Sequence, residues 1–493
     1  MAAIHDKELF LGWYLITLKL RETVESRLPK KSTYGGEIVP DYERRPPKSE
    51  WVVSIEEKLE QGRQDHVPSS WAKLSIYRFP HYLKNGEDKA WVPQIVSLGP
   101  YHHGEEHLRH MDRHKWRCLH HILERSNQKI DLYLDSVKKV ERTARACYEG
   151  TISMSRDEFV EMMVLDSCFV IELFRGFTEG FEKLGYPRND PVFSMRRLIL
   201  EIQRDMIMLE NQIPLFILNR LLRLQLSDPN QKGCVAKLAI QFFDPLMPTQ
   251  TIRPSHKRLK FNPLYNHDTL HYLEGFRRSL LHLGPKRSKT KQWPQSREKL
   301  TFCLTKLWEA GIKIRLSYPN SFWDIQFEQG ILKISRLEIH EGTWSLFLNL
   351  IAFEQSHFDC ENHITSYVIF MHNLISSPED VQYLCRCGII EHCLGSNAEV
   401  VDLFNRLCQG VAFDIKNSYL YDLSKKVDRY CLVKWLSLRA ALAQKWNAWR
   451  AILKNKYFDN PWSIISFIAA VVLLVLTFIQ SLYAVYSYNR SRS

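Results

Sequence analysis

Ile464–Tyr486 reads IISFIAAVVLLVLTFIQSLYAVY, and no charged residue falls between Asn460 and Asn489. As a helix, its roughly 23 residues extend about 34 Å, enough to cross a ~30 Å hydrocarbon core with some tilt. Most of its first two-thirds is Ile, Leu, Val or Phe, each favouring insertion by ~0.3–0.6 kcal/mol near a helix centre. Trp462 on one side, and Tyr483, Tyr486 and Tyr488 on the other, fit interfacial aromatic belts. A buried core helix is usually shorter and broken by polar positions. Residues 460–493 are therefore expected to form a transmembrane anchor and short tail, marked by Trp462, Ile464, Leu474 and Tyr486.

The flanks suggest an orientation. Arg439, Lys445, Arg450, Lys454 and Lys456 precede the span, opposed locally by Asp459, whereas Arg490 and Arg492 follow it. That bias favours a cytosolic body, with the plasma membrane as the expected site. Leu9–Leu18 is apolar enough for a short signal core, but His5-Asp6-Lys7-Glu8 is not a basic leader and no small-residue cleavage site follows. Eleven cysteines without a regular framework suit a reducing compartment. The Asn-x-Ser/Thr match, Asn489-Arg490-Ser491, lies beyond the span. The net charge of +12 permits contact with anionic lipid or nucleic acid and demands neither.

Residues 1–65 are poorly patterned, with a short helix expected near 7–27 and a charged, proline-containing lead-in at Asp41–Pro47. Residues 66–459 read as a helical domain in two lobes, separated by a basic interruption at about 247–297 whose flanks are expected to be mobile. Ser75–Pro80 and Val92–Pro100 look extended or turn-like between Pro and Gly breaks. Apolar periodicity predicts helices at 105–125, 130–149, 156–178, 191–224, 232–243, 268–283, 343–356, 363–376, 378–388, 397–410 and 420–456. Ser155/Glu158 and Ser396/Glu399 read as capping boxes, and Ser377-Pro378 as a Ser cap with Pro in the first turn. Pro214 is expected to break the 191–224 helix after Gln212. Trp323–Phe327, Gly330 and Ile331–Ile339 read as a β-hairpin. The fold class expected is mainly α: a large multi-helix body with a small β-hairpin and one C-terminal transmembrane helix.

Several stretches carry a family resemblance. Val96-Ser97-Leu98-Gly99-Pro100-Tyr101-His102-His103-Gly104, His114-Lys115-Trp116-Arg117, Ala144–Glu149 and Gln203–Pro214 resemble motifs of the plant domain of unknown function 247 family. Phe243–Leu246, Ala310–Lys313, Ala352-Phe353-Glu354-Gln355 and Cys387–His392 continue the likeness in order, from about Trp71 to the tail. No biochemical activity is established for that family. The resemblance implies a plant membrane protein with a single C-terminal span; some grass members are linked to self-incompatibility.

The chemistry-bearing groups are sparse. His107, His110 and His114 share a helical face at a spacing able to grip zinc, but Met111 stands where a catalytic His-Glu-x-x-His site needs glutamate. Cys385, Cys387, His392 and Cys393 lack the separated knuckles of a structural zinc site. Asp205 and Glu210 are five apart on a helix and so make no dyad within it. Asn211 and Gln212 are better suited to satisfying backbone groups freed near Pro214, with Arg204 pairing a carboxylate. No Gly-x-Ser-x-Gly elbow and no phosphate loop is present. The basic stretch 253–297 lacks the interleaved aromatics of a nucleic-acid platform. Trp435, Leu438, Leu442, Trp446 and Trp449 form a stripe that suits either the membrane surface or the body.

The expectation is a membrane-anchored, non-catalytic recognition or signalling protein. Its partners are the lipid bilayer and a protein or peptide, with no nucleic acid, no metal and no cofactor. His102, His103, Arg204, Glu210 and Asn211 are the candidate ligand or partner residues. An enzyme whose site assembles only in three dimensions is the competing reading.

Overall fold

The computed structural model describes residues 51–52, 54–55, 59 and 74–490, apart from 85–87, 227–233, 249–269, 282–302, 318–322, 358–359 and 458–460. Most of the N-terminal lead-in, and both basic flanks of the 247–297 interruption, lie outside these residues. Met1–Val67 and Pro68–Ser493 are separate compact units. The described residues of the first are helical. The second carries the helical body.

Its helices run in the order α1 (Asp112–Ser126), α2 (Ile130–Lys138), α3 (Glu141–Arg145), α4 (Arg156–Glu179), α5 (Arg196–Met206), α6 (Leu215–Leu226), α7 (Cys234–Phe242), α8 (Tyr272–Leu281) and α9 (Leu304–Glu309). Past several short strands come α10 (Thr343–Ser356), α11 (His363–Leu374), α12 (Pro378–Arg386), α13 (Asn397–Cys408), α14 (Tyr421–Tyr457) and α15 (Pro461–Arg490). The mainly helical expectation holds.

Two helices are buried on every side. Met162–Phe174 of α4 is wholly buried, with α1, α2, α6 and α7 packed around it. Ser345–Glu354 of α10 is likewise buried, against α11 and α13. A helical stretch buried all round has no solvent face to offer, so each forms the centre of a bundle, and its few polar side chains must find partners inside. One continuous apolar core runs from Ile76 to Val427.

Local signals set many boundaries. At α4, Ser155 Oγ accepts from the Glu158 N–H while Glu158 accepts from the Ser155 N–H, a complete capping box. Ser377 and Asp380 do the same for α12, with Pro378 in its first turn. At α13 the box is incomplete: Ser396 Oγ accepts from the Glu399 N–H, but the Glu399 carboxylate turns to the Gly395 N–H instead. Asn127 closes α1 in the left-handed conformation, φ 50°.

The predicted 105–125 helix begins as a 3-10 turn, Glu106–Met111, before α1. The 191–224 segment breaks after Met206 rather than Gln212. There the Gln212 side chain donates to the Met206 and Met208 carbonyls, and Asn211 donates to Asp205 O. These amides take the place of helical N–H donors, so the ladder ends several residues before Pro214.

The hairpin is present: β2 (Gln326–Glu328) pairs antiparallel with β3 (Ile331–Ser335) across Gln329-Gly330. Both turn residues have positive φ, 49° and 78°, the two-residue turn that matches strand twist. The sheet is larger than the hairpin, because β1 (Lys313–Ser317) adds in parallel to β3. Ile331–Ile339 is not one strand. It divides at Arg336, and β4 (Leu337–Ile339) pairs in parallel with β5 (Ile390–His392) in a second sheet.

Candidate functional site

The loop Pro93–Pro100 passes beneath the helices and is largely buried. Buried backbone without a ladder partner must find side-chain partners. Here Asp205 Oδ2 at the end of α5 accepts from the N–H groups of Gln94, Ile95 and Val96 at 2.9, 2.6 and 3.0 Å. Asn211 Oδ1 accepts from Leu98 N–H at 2.6 Å, and its Nδ2 donates to Val96 O at 3.0 Å. Asp166 in the middle of α4 takes the Gly99 N–H at 2.9 Å and the Lys115 ammonium at 2.6 Å. Lys115 also donates to Ser97 O. Gly99 has φ 77°, and a Cβ there would meet Gln212 O at 2.8 Å, so both conformation and space require glycine.

Gln212 extends the knot to α8: its Oε1 accepts from the Leu273 N–H and lies 3.0 Å from His271 Nδ1. Burial pushes the His271 imidazole down to about 4, so it is neutral at ordinary pH. Three motifs far apart in sequence therefore meet in one hydrogen-bonded core.

At the rim two of the candidate residues meet. His102 Nε2 is 3.3 Å from Glu210 Oε2, a charge contact without hydrogen-bond alignment, and its Nδ1 bonds Glu105 Oε1 at 2.8 Å. Glu210 also accepts from Phe79 N–H at 2.7 Å, and Arg78 approaches it at 3.9 Å while stacking over Tyr101. Burial works against charge on both groups. For His102 it is outweighed by Glu210 and then Glu105, which hold the imidazole above its usual range. For Glu210 it is outweighed by His102 and the Phe79 N–H, which hold the carboxyl below its own. The opposed shifts favour a standing ion pair over a poised acid–base couple.

These shifts fix the sign of the pH dependence. The raised His102 contributes stability that is complete below ~6.5 and fades as pH rises through its folded value. The lowered Glu210 contributes above ~4.3 and fades as pH falls further. The urea midpoint of the wild type should therefore exceed that of His102→Gln by more at pH 6 than at pH 8. A gap independent of pH would mean that the imidazole is not charged beside these carboxylates.

The other candidates stand apart. Asn211 is fully buried within the knot, whereas His103 is exposed. Arg204 is partly buried and reaches Asp205 Oδ1 at 3.8 Å. His107 and His110 are exposed and bond the Pro93 and His107 carbonyls, and His114 is buried. No group of three or more His, Cys, Asp or Glu is arranged to hold a metal among the described residues. Cys385 lies in the last turn of α12, and burial raises its thiol.

Sequence reasoning passed over the buried pair Arg277–Glu354. Both side chains are fully enclosed, and Arg277 Nε donates to Glu354 Oε1 at 2.9 Å. Of the two arginines in 268–283, Arg277 lies four residues from both Leu273 and Leu281, and that place on the apolar face was the available signal, since arginine is rarely buried unless paired.

A family profile described as a plant protein of unknown function matches residues 76–476. The chain belongs to this family. A UPF0481 protein of Arabidopsis thaliana is 31% identical over 430 residues, covering 84% of this chain and 86% of its own. A putative UPF0481 protein of the same plant is 23% identical over 549 aligned positions, covering 93% and 98%. No solved structure matches the chain. In this member of a plant family of unknown function, the knot gives several sequence motifs a physical reason: they hold a buried loop in place.

Proposed function

We propose that this protein is a membrane-anchored, non-catalytic recognition or signalling protein, whose helical body binds a protein or peptide partner on the cytosolic side. One observation carries the anchor. Ile464–Ala484 has a mean hydropathy of 2.5, and among the described residues none of it is buried. Trp462 and Leu474 are 76% and 70% exposed, an arrangement that water penalises and lipid removes. Ser466 and Ser481 each donate to the carbonyl four residues earlier, at 2.9 Å, and Thr477 does likewise to Leu473. Such bonding lowers the cost of a hydroxyl in hydrocarbon.

The non-catalytic part rests on how the ionisable groups are used. Asp166 and the Oδ2 of Asp205 accept from loop amides, and Glu210 accepts from Phe79 N–H while contacting His102. A general base needs a free lone pair within reach of substrate; Asp205 Oδ1, which no hydrogen bond occupies, is buried with Arg204 at 3.8 Å rather than open to a substrate.

The full chain, expressed in plant cells, should stay in the membrane pellet after an alkaline carbonate wash, and a chain ending at Tyr457 should be released. Extraction of the full chain would overturn the anchor. Protease protection of the body in sealed right-side-out vesicles would support the cytosolic side; its digestion there would reverse the orientation.

A further inference from the structure

We propose that α14 from Lys434 onward lies along an anionic leaflet surface, as a second membrane attachment beside the terminal span. This rests on the anchor proposed above. The competing destination, the body itself, leaves this face uncovered among the described residues: Trp435, Leu438, Leu442, Trp446 and Trp449 are 55–71% exposed along the helix. At ~100° per residue these five fall within an arc of roughly 80°. Leu432, Val433 and Leu436, nearer the body, and Ile452, near the other end, fall outside it.

The charges are placed to match. Arg439 and Arg450 lie roughly 60–80° to one side of the arc's centre, and Lys434 and Lys445 an equal angle to the other. Ser437, Gln444 and Asn447 take the far face. Between Asp428 and Asp459 the chain has no acidic residue, while seven are Lys or Arg. A stripe of tryptophan and leucine edged on both sides by cations is suited to the boundary between acyl chains and anionic headgroups, where long basic side chains bury their stems and reach phosphate. A coiled-coil partner would favour a regular seam of apolar residues with charges of both signs at its edges. Position agrees as well, since α14 ends at Tyr457 and the apolar helix begins at Pro461. If the span enters the leaflet there, this end of α14 is already at headgroup depth.

The test uses the full chain reconstituted into phosphatidylcholine vesicles with or without phosphatidylserine. Hydroxyl-radical oxidation of Trp435, Trp446 and Trp449 is read by mass spectrometry, with Trp116 and Trp308, exposed on the body, as internal references. Oxidation of the three should be several-fold slower with phosphatidylserine, and the K434Q/R439Q/K445Q/R450Q variant should lose that protection. Oxidation at the reference rate on both vesicles would overturn the inference. So would protection that ignores both lipid charge and the variant but grows with protein density, which would assign the face to a second copy. Carbonate washing of the same samples separates the two claims: a retained chain with unprotected tryptophans sinks only this one, and an extracted chain that is still protected sinks only the anchor.

Discussion

Arg277→Met should cost about 3–5 kcal/mol of folding stability, the usual effect of removing one partner from a buried ion pair. The variant leaves the Glu354 carboxylate enclosed without its countercharge. Glu354 also accepts from the Ile364 and Thr365 N–H groups and the Thr365 hydroxyl, at 3.0, 2.8 and 2.7 Å. Arg277 further donates to Glu361 O. The pair therefore joins α8 to α10 and to the start of α11. In R277M/E354M the stranded charge is gone, so the loss should be smaller than the sum of the single losses. It should still not vanish, because the three donors at Ile364 and Thr365 lose their acceptor. Urea denaturation in detergent reads all four states. A loss below ~1 kcal/mol for R277M would show that the pair is incidental to the core.

Asp205→Ala should be comparably severe. It orphans the N–H groups of Gln94, Ile95 and Val96 in a buried loop, at ~1–3 kcal/mol for each donor left unsatisfied, with relaxation making the total less than additive. Asp205→Asn keeps a carbonyl acceptor and should be far milder. The two also differ in pH dependence. Burial pushes the Asp205 carboxyl up to about 6, even though the three N–H donors, Ile95 first, pull it down. With an unfolded value near ~3.9, the native state holds the proton more tightly, so ionisation of Asp205 lowers stability as pH rises from about 4 through about 6. The wild type should lose on the order of 3 kcal/mol relative to D205N across that window. Parallel curves would show that the three amides stabilise the carboxylate as strongly as water does.

Legibility followed the range of the interactions. Ser155 with Glu158 closes its bonds within a helical turn, as does the Ser377 cap ahead of Pro378, and both were readable as strings. Gln329-Gly330 was similarly local. The partners of Asp205 are 109–111 residues away and those of Glu354 include one at 77, so no spacing rule points to them. The short parallel strands β1 and β5 were missed because each has only a few residues and its partner lies outside the local pattern. Among the candidate residues, His102 and Glu210 do meet, while His103 faces solvent and Arg204 turns to Asp205. Their convergence depends on where the Pro93–Pro100 loop is threaded, which is a property of the whole body.

Deep in α10, Asn349 Nδ2 donates to Ala90 O at 2.7 Å, while its Oδ1 accepts from Leu209 N–H at 2.9 Å. The first bond spans 259 residues. At ~5–20 residues per second, translation separates the two ends by roughly 13–50 s. For that interval the nascent N-terminal helices display apolar faces whose cover has not yet been made. This chain should therefore lean on chaperones during synthesis, and slowing codons placed between the two positions should lower its yield more than the same codons placed after Glu354.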